Sequence, residues 1–265
     1  MKKKLFVLVM AFTMVFTMFA FTGCGKKDSG SDMEYVKGNG KLIVGITDFA
    51  PMDYKDDKGN WIGFDADMAA AFADSLGCKV EFVEIDWDSK ELELKNKSID
   101  CVWNGMTLTK AVEKAMETSN AYCNNAQVVV VNANISDKYS QKDLCKDLNF
   151  AVEAGSAGEE AAKAEGWKTT AVQTQAAALM EVKSGTADAA IIDLLMAGAM
   201  IGEGTSYPDL TYTVKLTEEK YGVGFRKGSD LAAALNEFLV KSYGDGSMKT
   251  IAAKYGTQES LIEQK

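Results

Sequence analysis

The feature that most restricts this chain is an alternation of short apolar runs with helix-patterned stretches, which begins at Lys41 and restarts in the second half. Lys41–Ile46 (KLIVGI) is an apolar run that ends in the turn-rich segment 47–60. Gly63-Phe64-Asp65 opens a helix that Asp65 can cap, with Met68, Phe72 and Leu76 on one face and Gly77 as its stop. A strand over Val80–Glu84, a helix from Asp88 to Asn96 and a strand at Cys101–Trp103 follow. Gln127–Val131 is a continuous apolar run of the kind a parallel sheet buries on both faces. The pattern restarts with strands at Asn149–Glu153, Thr169–Val172 and Ala189–Ile192, separated by helices near Gly158–Ala164 and Gln175–Ser184. A last strand, Tyr221–Phe225, precedes helices over Ser229–Tyr243 and Ser247–Tyr255. Such alternation predicts an α/β fold with parallel-rich sheets and helices on both faces.

An internal similarity divides this pattern in two. Lys95-Asn96-Lys97-Ser98-Ile99-Asp100 leads into the strand Cys101-Val102-Trp103, and Lys183-Ser184-Gly185-Thr186-Ala187-Asp188 leads into Ala189-Ala190-Ile191. Each is a helix end, a lysine, a polar turn, an aspartate five residues on and an apolar strand. Two similar α/β lobes are therefore expected, with Asn104-Gly105 at the strand end of one and Asp193 at the strand end of the other. Open α/β sheets bind ligands beyond the carboxyl ends of their strands, so two facing lobes make a ligand cleft.

Composition excludes several kinds of chemistry. The chain has no histidine, which rules out a Ser-His-Asp triad, a histidine base or a histidine-ligated metal. Among 29 basic residues Arg226 is the only arginine, and the net charge is −9, which argues against nucleic-acid binding. The first residues read as an export signal: Lys2, Lys3 and Lys4, an apolar run from Leu5 to Phe21, then Gly23-Cys24. That run is shorter than the roughly 20 apolar residues of a membrane span. Phe21-Thr22-Gly23-Cys24 resembles a bacterial lipobox, which implies that residues 1–23 are a signal peptide and that Cys24 is lipidated. Residues 24–33 (the stretch GKKDSGSD and its flanks) have the composition of a flexible tether. Cys78, Cys101, Cys123 and Cys145 form no CxxC pair, so no metal or redox site is expected, and their disulfide status stays open.

Five stretches, in this order and spacing, resemble the extracytoplasmic solute-binding proteins of bacterial amino-acid ABC importers. They are Gly63-Phe64-Asp65-Ala66-Asp67-Met68-Ala69, Ile85-Asp86-Trp87-Asp88, Asn104-Gly105-Met106-Thr107-Leu108-Thr109, Ala187-Asp188-Ala189-Ala190-Ile191-Ile192-Asp193, and Tyr221-Gly222-Val223-Gly224-Phe225-Arg226-Lys227-Gly228. The resemblance implies two lobes joined by two crossings, near Val128–Val131 and Leu216–Tyr221. Lobe 1 would be residues 34–129 plus 219–265, and lobe 2 residues 130–218. It further implies a lipid-anchored, extracytoplasmic monomer that captures a polar amino acid or a related zwitterion and delivers it to a membrane permease by lobe closure, without cofactor or metal.

A zwitterion presents a carboxylate and an ammonium. The carboxylate suits backbone N–H groups ahead of a helix, at Gly105–Thr109 (Gly105 and Thr107) or at Gly155-Ser156-Ala157-Gly158 (Ser156 and Ala157). Asp193 is the expected ammonium acceptor, with Asn104 as its lobe-1 counterpart. Phe49 corresponds to the family's stacking aromatic; Trp87 and Trp103 are further walls or plain core, and Asp48, Asp53 and Asp86 add negative potential at the rim. One departure stands out: where the family usually has a carboxylate-binding arginine, this chain has Val112. Either Arg226 or Lys110 reaches in, or backbone N–H groups suffice, or the ligand is not a standard α-amino acid. A surface sensor or adhesin and a dehydratase-like enzyme on the same fold are the competing functions; the expectation is that the protein is not an enzyme.

Overall fold

A computed structural model describes residues 30–265, so the signal segment, Cys24 and most of the tether lie outside the described residues. The first helix, α1 (Asp32–Asn39), is capped by Ser31, whose Oγ accepts from Glu34 N. The expected tether 24–33 therefore ends too late: residues 31–33 belong to lobe 1, because Ser31 Oγ also donates to Asp230 and Asp32 pairs with Arg226.

Lobe 1 continues through β1 (Lys41–Ile46), α2 (Phe64–Ser75), β2 (Lys79–Glu84), α3 (Lys90–Lys95), β3 (Cys101–Thr107), α4 (Lys110–Ala115) and β4 (Cys123–Asn125). Lobe 2 is built from β5 (Gln127–Asn132), β6 (Asn149–Glu153), α5 (Ala157–Ala164), β7 (Lys168–Val172), α6 (Gln175–Ser184), β8 (Ala189–Asp193), α7 (Leu194–Met200) and β9 (Leu210–Lys215). The chain then returns to lobe 1 with β10 (Glu219–Phe225), α8 (Leu231–Gly244) and α9 (Ser247–Lys254). The first sheet runs β2-β1-β3-β10, with β4 and a two-residue strand at Glu117–Thr118 both on β10; the second runs β7-β6-β8-β5-β9.

Both sheets are parallel except where the chain crosses. β1 pairs parallel with β2 and β3, and β6 with β7 and β8. The crossing strands run the other way: β10 is antiparallel to β3, and β5 is antiparallel to β8 and β9. The apolar run at Gln127–Val131 correctly signalled burial on both faces, with Val128 and Val130 in one core and Val129 and Val131 in the other. Apolarity carries no strand direction, however, so the expected parallel pairing is corrected. The first crossing is also displaced: β4 pairs in the first sheet and β5 wholly in the second, so the chain changes lobe at Ala126, ahead of Val128–Val131. The second crossing is 216–218, held to the first by Leu216 N donating to Gln127 O at 2.8 Å and Gln127 N donating to Thr217 Oγ1 at 2.9 Å. β9 escaped the sequence reading because it is a half-exposed edge strand, with Tyr212 49% exposed.

Arg226 lies at the end of β10, on the side of lobe 1 where α1 packs. Its Nε donates to Asp32 at 2.9 Å, Nη2 to Asp100 at 3.0 Å and Nη1 to Ile99 O at 2.7 Å. Asp100 in turn accepts from Ile43 N, so one arginine ties α1, β1, β3 and β10 together. It does not reach the cleft. Removing one partner of a buried charge cluster leaves the other uncompensated and costs about 3–5 kcal/mol. Arg226→Met should therefore lower unfolding free energy in denaturant titration by that amount and leave ligand affinity unchanged; a loss under about 1 kcal/mol would contradict this placement.

Candidate functional site

Three strands end at one cavity of about 230 Å³, β3 from lobe 1 and β6 and β8 from lobe 2. Their last residues, Thr107, Glu153 and Asp193, all line it, as do Phe49, Trp87, Asn104, Gly105, Ser156 and Ala157. Its charged lining is five acids, Asp88, Glu91, Glu153, Glu160 and Asp193, against one cation, Lys90. Lys110 is exposed and outside the lining, whereas Val112 contributes apolar wall.

Lobe 1 supplies aromatic walls and a rigid floor. Phe49 packs edge-to-face on Tyr221 at 6.3 Å between centroids and lies flush against Gly105. Gly105 has φ +52, and a Cβ there would lie 2.4 Å from Phe49 Cε1, so only glycine leaves the ring in place. Asn104 spends its side chain beneath the loop: Oδ1 accepts from Thr47 N and Oγ1, and Nδ2 donates to Thr47 O and Asp53. It positions the Phe49 loop. The Gly105 amide donates to Asp65 at 2.6 Å, and Thr107 Oγ1 donates to Glu219 at 2.9 Å. The cap of α4 is Thr109, which accepts from Val112 N.

Three expectations for lobe 1 are corrected. Trp103 is not a cleft wall: it is 1% exposed and packs on Phe72 and Tyr122 in the core, because β3 alternates and residue 103 faces inward. Asp53 is fully buried rather than at the rim, since Asn104 and the Phe49 turn enclose it. Asp65 does not cap α2; it lies within the helix, accepting from Gly105 N and Tyr122 Oη.

Lobe 2 supplies a helix start and two buried carboxyls. Ser156 Oγ accepts from Glu159 N and so caps α5, while the Glu159 carboxylate accepts from Gly155 N just ahead of it. The next two amides, of Ala157 and Gly158, have no acceptor among the described residues. Gly155, at φ +69, brings the lobes into contact: a Cβ there would lie 2.9 Å from Asp88 Cα. Asp193 occupies the first position before α7 without capping it. Its Oδ1 accepts from Asn125, from Gln127 at 3.0 Å and from Tyr221 Oη at 2.7 Å, and its Oδ2 accepts from Gln175. Asn125 and Gln127 also donate to Glu219, so the two carboxyls share the same amides where the chain crosses.

Glu153 is the residue the sequence reading missed. It is 3% exposed, and its Oε1 has no hydrogen-bond partner. The signal was present, since Glu153 ends an apolar parallel strand just as Asp193 does. Lys90, also missed, sits 4.8 Å over the Trp87 ring and donates to Trp87 O at 2.9 Å and, across the cleft, to Gly155 O at 3.1 Å. Asp86 accepts across the same gap from Gln173 at 2.8 Å. Among the described residues no cluster of acids and cysteines could hold a metal ion, and the four described cysteines are free thiols.

Burial pushes the Glu153 carboxyl up to about 8, with Asp193 adding to the rise and Lys90 opposing it. Burial also raises Asp193, next to Glu219, and raises Asp65. Ordinary carboxylates titrate near about 4, so between that value and about 8 the folded chain holds more protons than the unfolded one. Stability from these groups is complete at the acid end of that window and is lost as pH rises through it. The melting temperature of the empty protein should fall steadily from pH 5 to pH 8.5; a flat or rising trend would contradict it.

Comparisons with known proteins agree with this geometry. A family model of bacterial extracellular solute-binding proteins, family 3, matches residues 42–258. The chain is 33% identical to the arginine-binding extracellular protein ArtP of Bacillus subtilis, over 98% of this chain and 100% of that one. Solved structures share its fold, two of them as follows. One is an ABC uptake transporter substrate-binding protein from Streptococcus pneumoniae with bound histidine, at TM-score 0.80 and 29% identity over 89% of this chain and 100% of that one. The other is the ancestral amino acid-binding protein AncCDT-1, a precursor of cyclohexadienyl dehydratase, at TM-score 0.78 and 31% identity over 85% and 99%. With its two crossed-over lobes and a polar cavity at their strand ends, this chain belongs to the bacterial extracellular solute-binding proteins of family 3.

Proposed function

We propose that the protein captures a basic amino acid in the interlobe cavity, outside the cytoplasm, and presents it to a membrane ABC permease when the lobes close on it. The observation that carries this reading is the acidic lining of the cavity: five carboxyl groups against one lysine, with the buried Glu153 Oε1 still lacking a donor. A ligand bringing two positive groups and one negative group offsets that imbalance, and a cation beside Glu153 satisfies an oxygen whose burial is otherwise costly. The arginine and histidine bound by the relatives above support the same ligand class. Contacts on both lobes couple binding to closure, because a ligand touching both walls favours the closed form.

The decisive experiment is a thermal-shift and calorimetric panel of L-arginine, L-lysine, L-histidine, L-glutamine and L-glutamate. A ligand that binds only the folded state stabilises it by about 2.7 kcal/mol at a hundredfold excess over Kd. The basic members should give the large shifts, and a preference for glutamate would overturn the reading. Glu153→Gln keeps the shape but cannot ionise beside a bound cation. Losing one side of a buried charge pair costs about 2–5 kcal/mol, so affinity for L-arginine should fall roughly thirtyfold or more at about 1.4 kcal/mol per tenfold. A change under about threefold would remove Glu153 from the site.

The same reading places the protein on a lipid anchor at Cys24. It rests on the lysine-rich start, the apolar run and Gly23-Cys24, with α1 beginning only eight residues later at Asp32. No helix of the described residues is long and apolar enough to cross a membrane. Stable anchoring takes more than one acyl chain, so Cys24→Ser should move the protein from the membrane to the soluble fraction of its host. Unchanged fractionation would refute the anchor.

A further inference from the structure

Two buried ionisable side chains of the cavity wall, one from each lobe, keep a polar atom unspent. An ammonium has three N–H donors, and Lys90 gives two of them to Trp87 O and Gly155 O. The third meets no acceptor among the described residues, although the residue is only 8% exposed. Glu153 Oε1, on the facing lobe, is the complementary case. No salt bridge joins the two among the described residues. A buried donor and a buried acceptor left open together are costly to the empty protein, and they are the complement of a molecule carrying both a carboxylate and a cation.

The position of the ammonium says which end it takes. Its bond to Gly155 O holds it one residue ahead of the Ser156 cap, beside the open Ala157 and Gly158 amides of α5. A carboxylate seated on those amides gains the helix-end field and, from across the cleft, a charged N–H. Among the described residues no other basic side chain lines the cavity: Arg226 is committed to Asp32 and Asp100, and Lys110 lies outside the lining. We propose that Lys90 holds the ligand's carboxylate together with the first amides of α5, and thereby selects amino acids over the corresponding amines. This inference rests on the proposed capture of an amino acid. It differs from a purely structural role, in which Lys90 is only a strut between Trp87 and Gly155.

The test compares L-arginine with its decarboxylated counterpart, agmatine, by calorimetry and by competition, in the parent, Lys90→Met, Lys90→Gln and Lys90→Arg. In the parent the amino acid should bind at least tenfold tighter than the amine. In Lys90→Met and Lys90→Gln that ratio should fall at least tenfold, through lost affinity for arginine with agmatine changed less than threefold, and Lys90→Arg should restore most of it. Melting temperature and circular dichroism identify a variant that has not folded, and the other neutral variant then decides. Equal losses for both ligands would make Lys90 a strut alone, and an unchanged ratio would place the carboxylate elsewhere; either overturns the proposal. If the parent ignores arginine but binds another amino acid of the panel, the basic-ligand reading fails by itself and the same ratio is measured with that amino acid and its amine. A parent that binds no amino acid of the panel overturns both.

Discussion

Asp193 and Glu219 are carboxyls brought together where the chain changes lobe, and both are held by the same two amides, Asn125 and Gln127. Thr107, at the end of β3, is tied to the same junction through Glu219. One crossing supplies the amides; the return crossing supplies Glu219 and, two residues on, Tyr221, whose hydroxyl also binds Asp193. Burying unpaired carboxyl groups costs several kcal/mol each. The crossings therefore cannot slide relative to the strand ends without leaving at least one acid unsatisfied. This fixes where β8 ends, hence where the wall of the cavity stands.

The same economy separates residues that shape the site from residues free to bind. Asn104, Gly105 N–H, Thr107 and Asp193 all face the cavity, yet their polar atoms are taken by Thr47, Asp53, Asp65, Glu219 and the crossing amides. Lys90, Glu153 and the opening amides of α5 retain capacity. A site prepared in this way spends its ordering energy in folding rather than at capture, since the walls are already held in place by their own bonds. The cost appears as carboxyls held above their ordinary titration range by burial.

The departure at Val112 takes its meaning from this arrangement. With an apolar side chain there and the single arginine committed to α1 and Asp100, the lobe-1 wall would carry no cation at all were it not for Lys90. Lys90 reaches the cleft because it begins α3 directly after the short turn at Trp87–Ser89, where its ammonium sits over the indole ring.

Much of the architecture was legible in the sequence because it follows from local periodicity. Alternating apolar runs and helix patterns, and the repeated helix-turn-aspartate-strand unit, specified an α/β chain of two lobes with ligand-facing strand ends. Boundaries slipped where one long-range contact decides them: Ser31–Met33 joins the fold through Asp230 and Arg226, partners nearly two hundred residues away in sequence. Strand direction at Gln127–Asn132 was not legible, because an apolar run records burial on both faces and not the path of the chain that delivers it. The candidate residues divide in the same way. Phe49, Trp87, Ser156, Ala157 and Asp193 line the cavity because they follow or end apolar strands, a property the sequence displays. Whether such a residue still has a hydrogen-bonding atom to offer was decided only by tertiary structure. Asp193 meets Asn125 and Gln127 from the first crossing, Gln175 from α6 and Tyr221 from β10 and is satisfied, while Glu153, at an equivalent strand end, keeps one oxygen open.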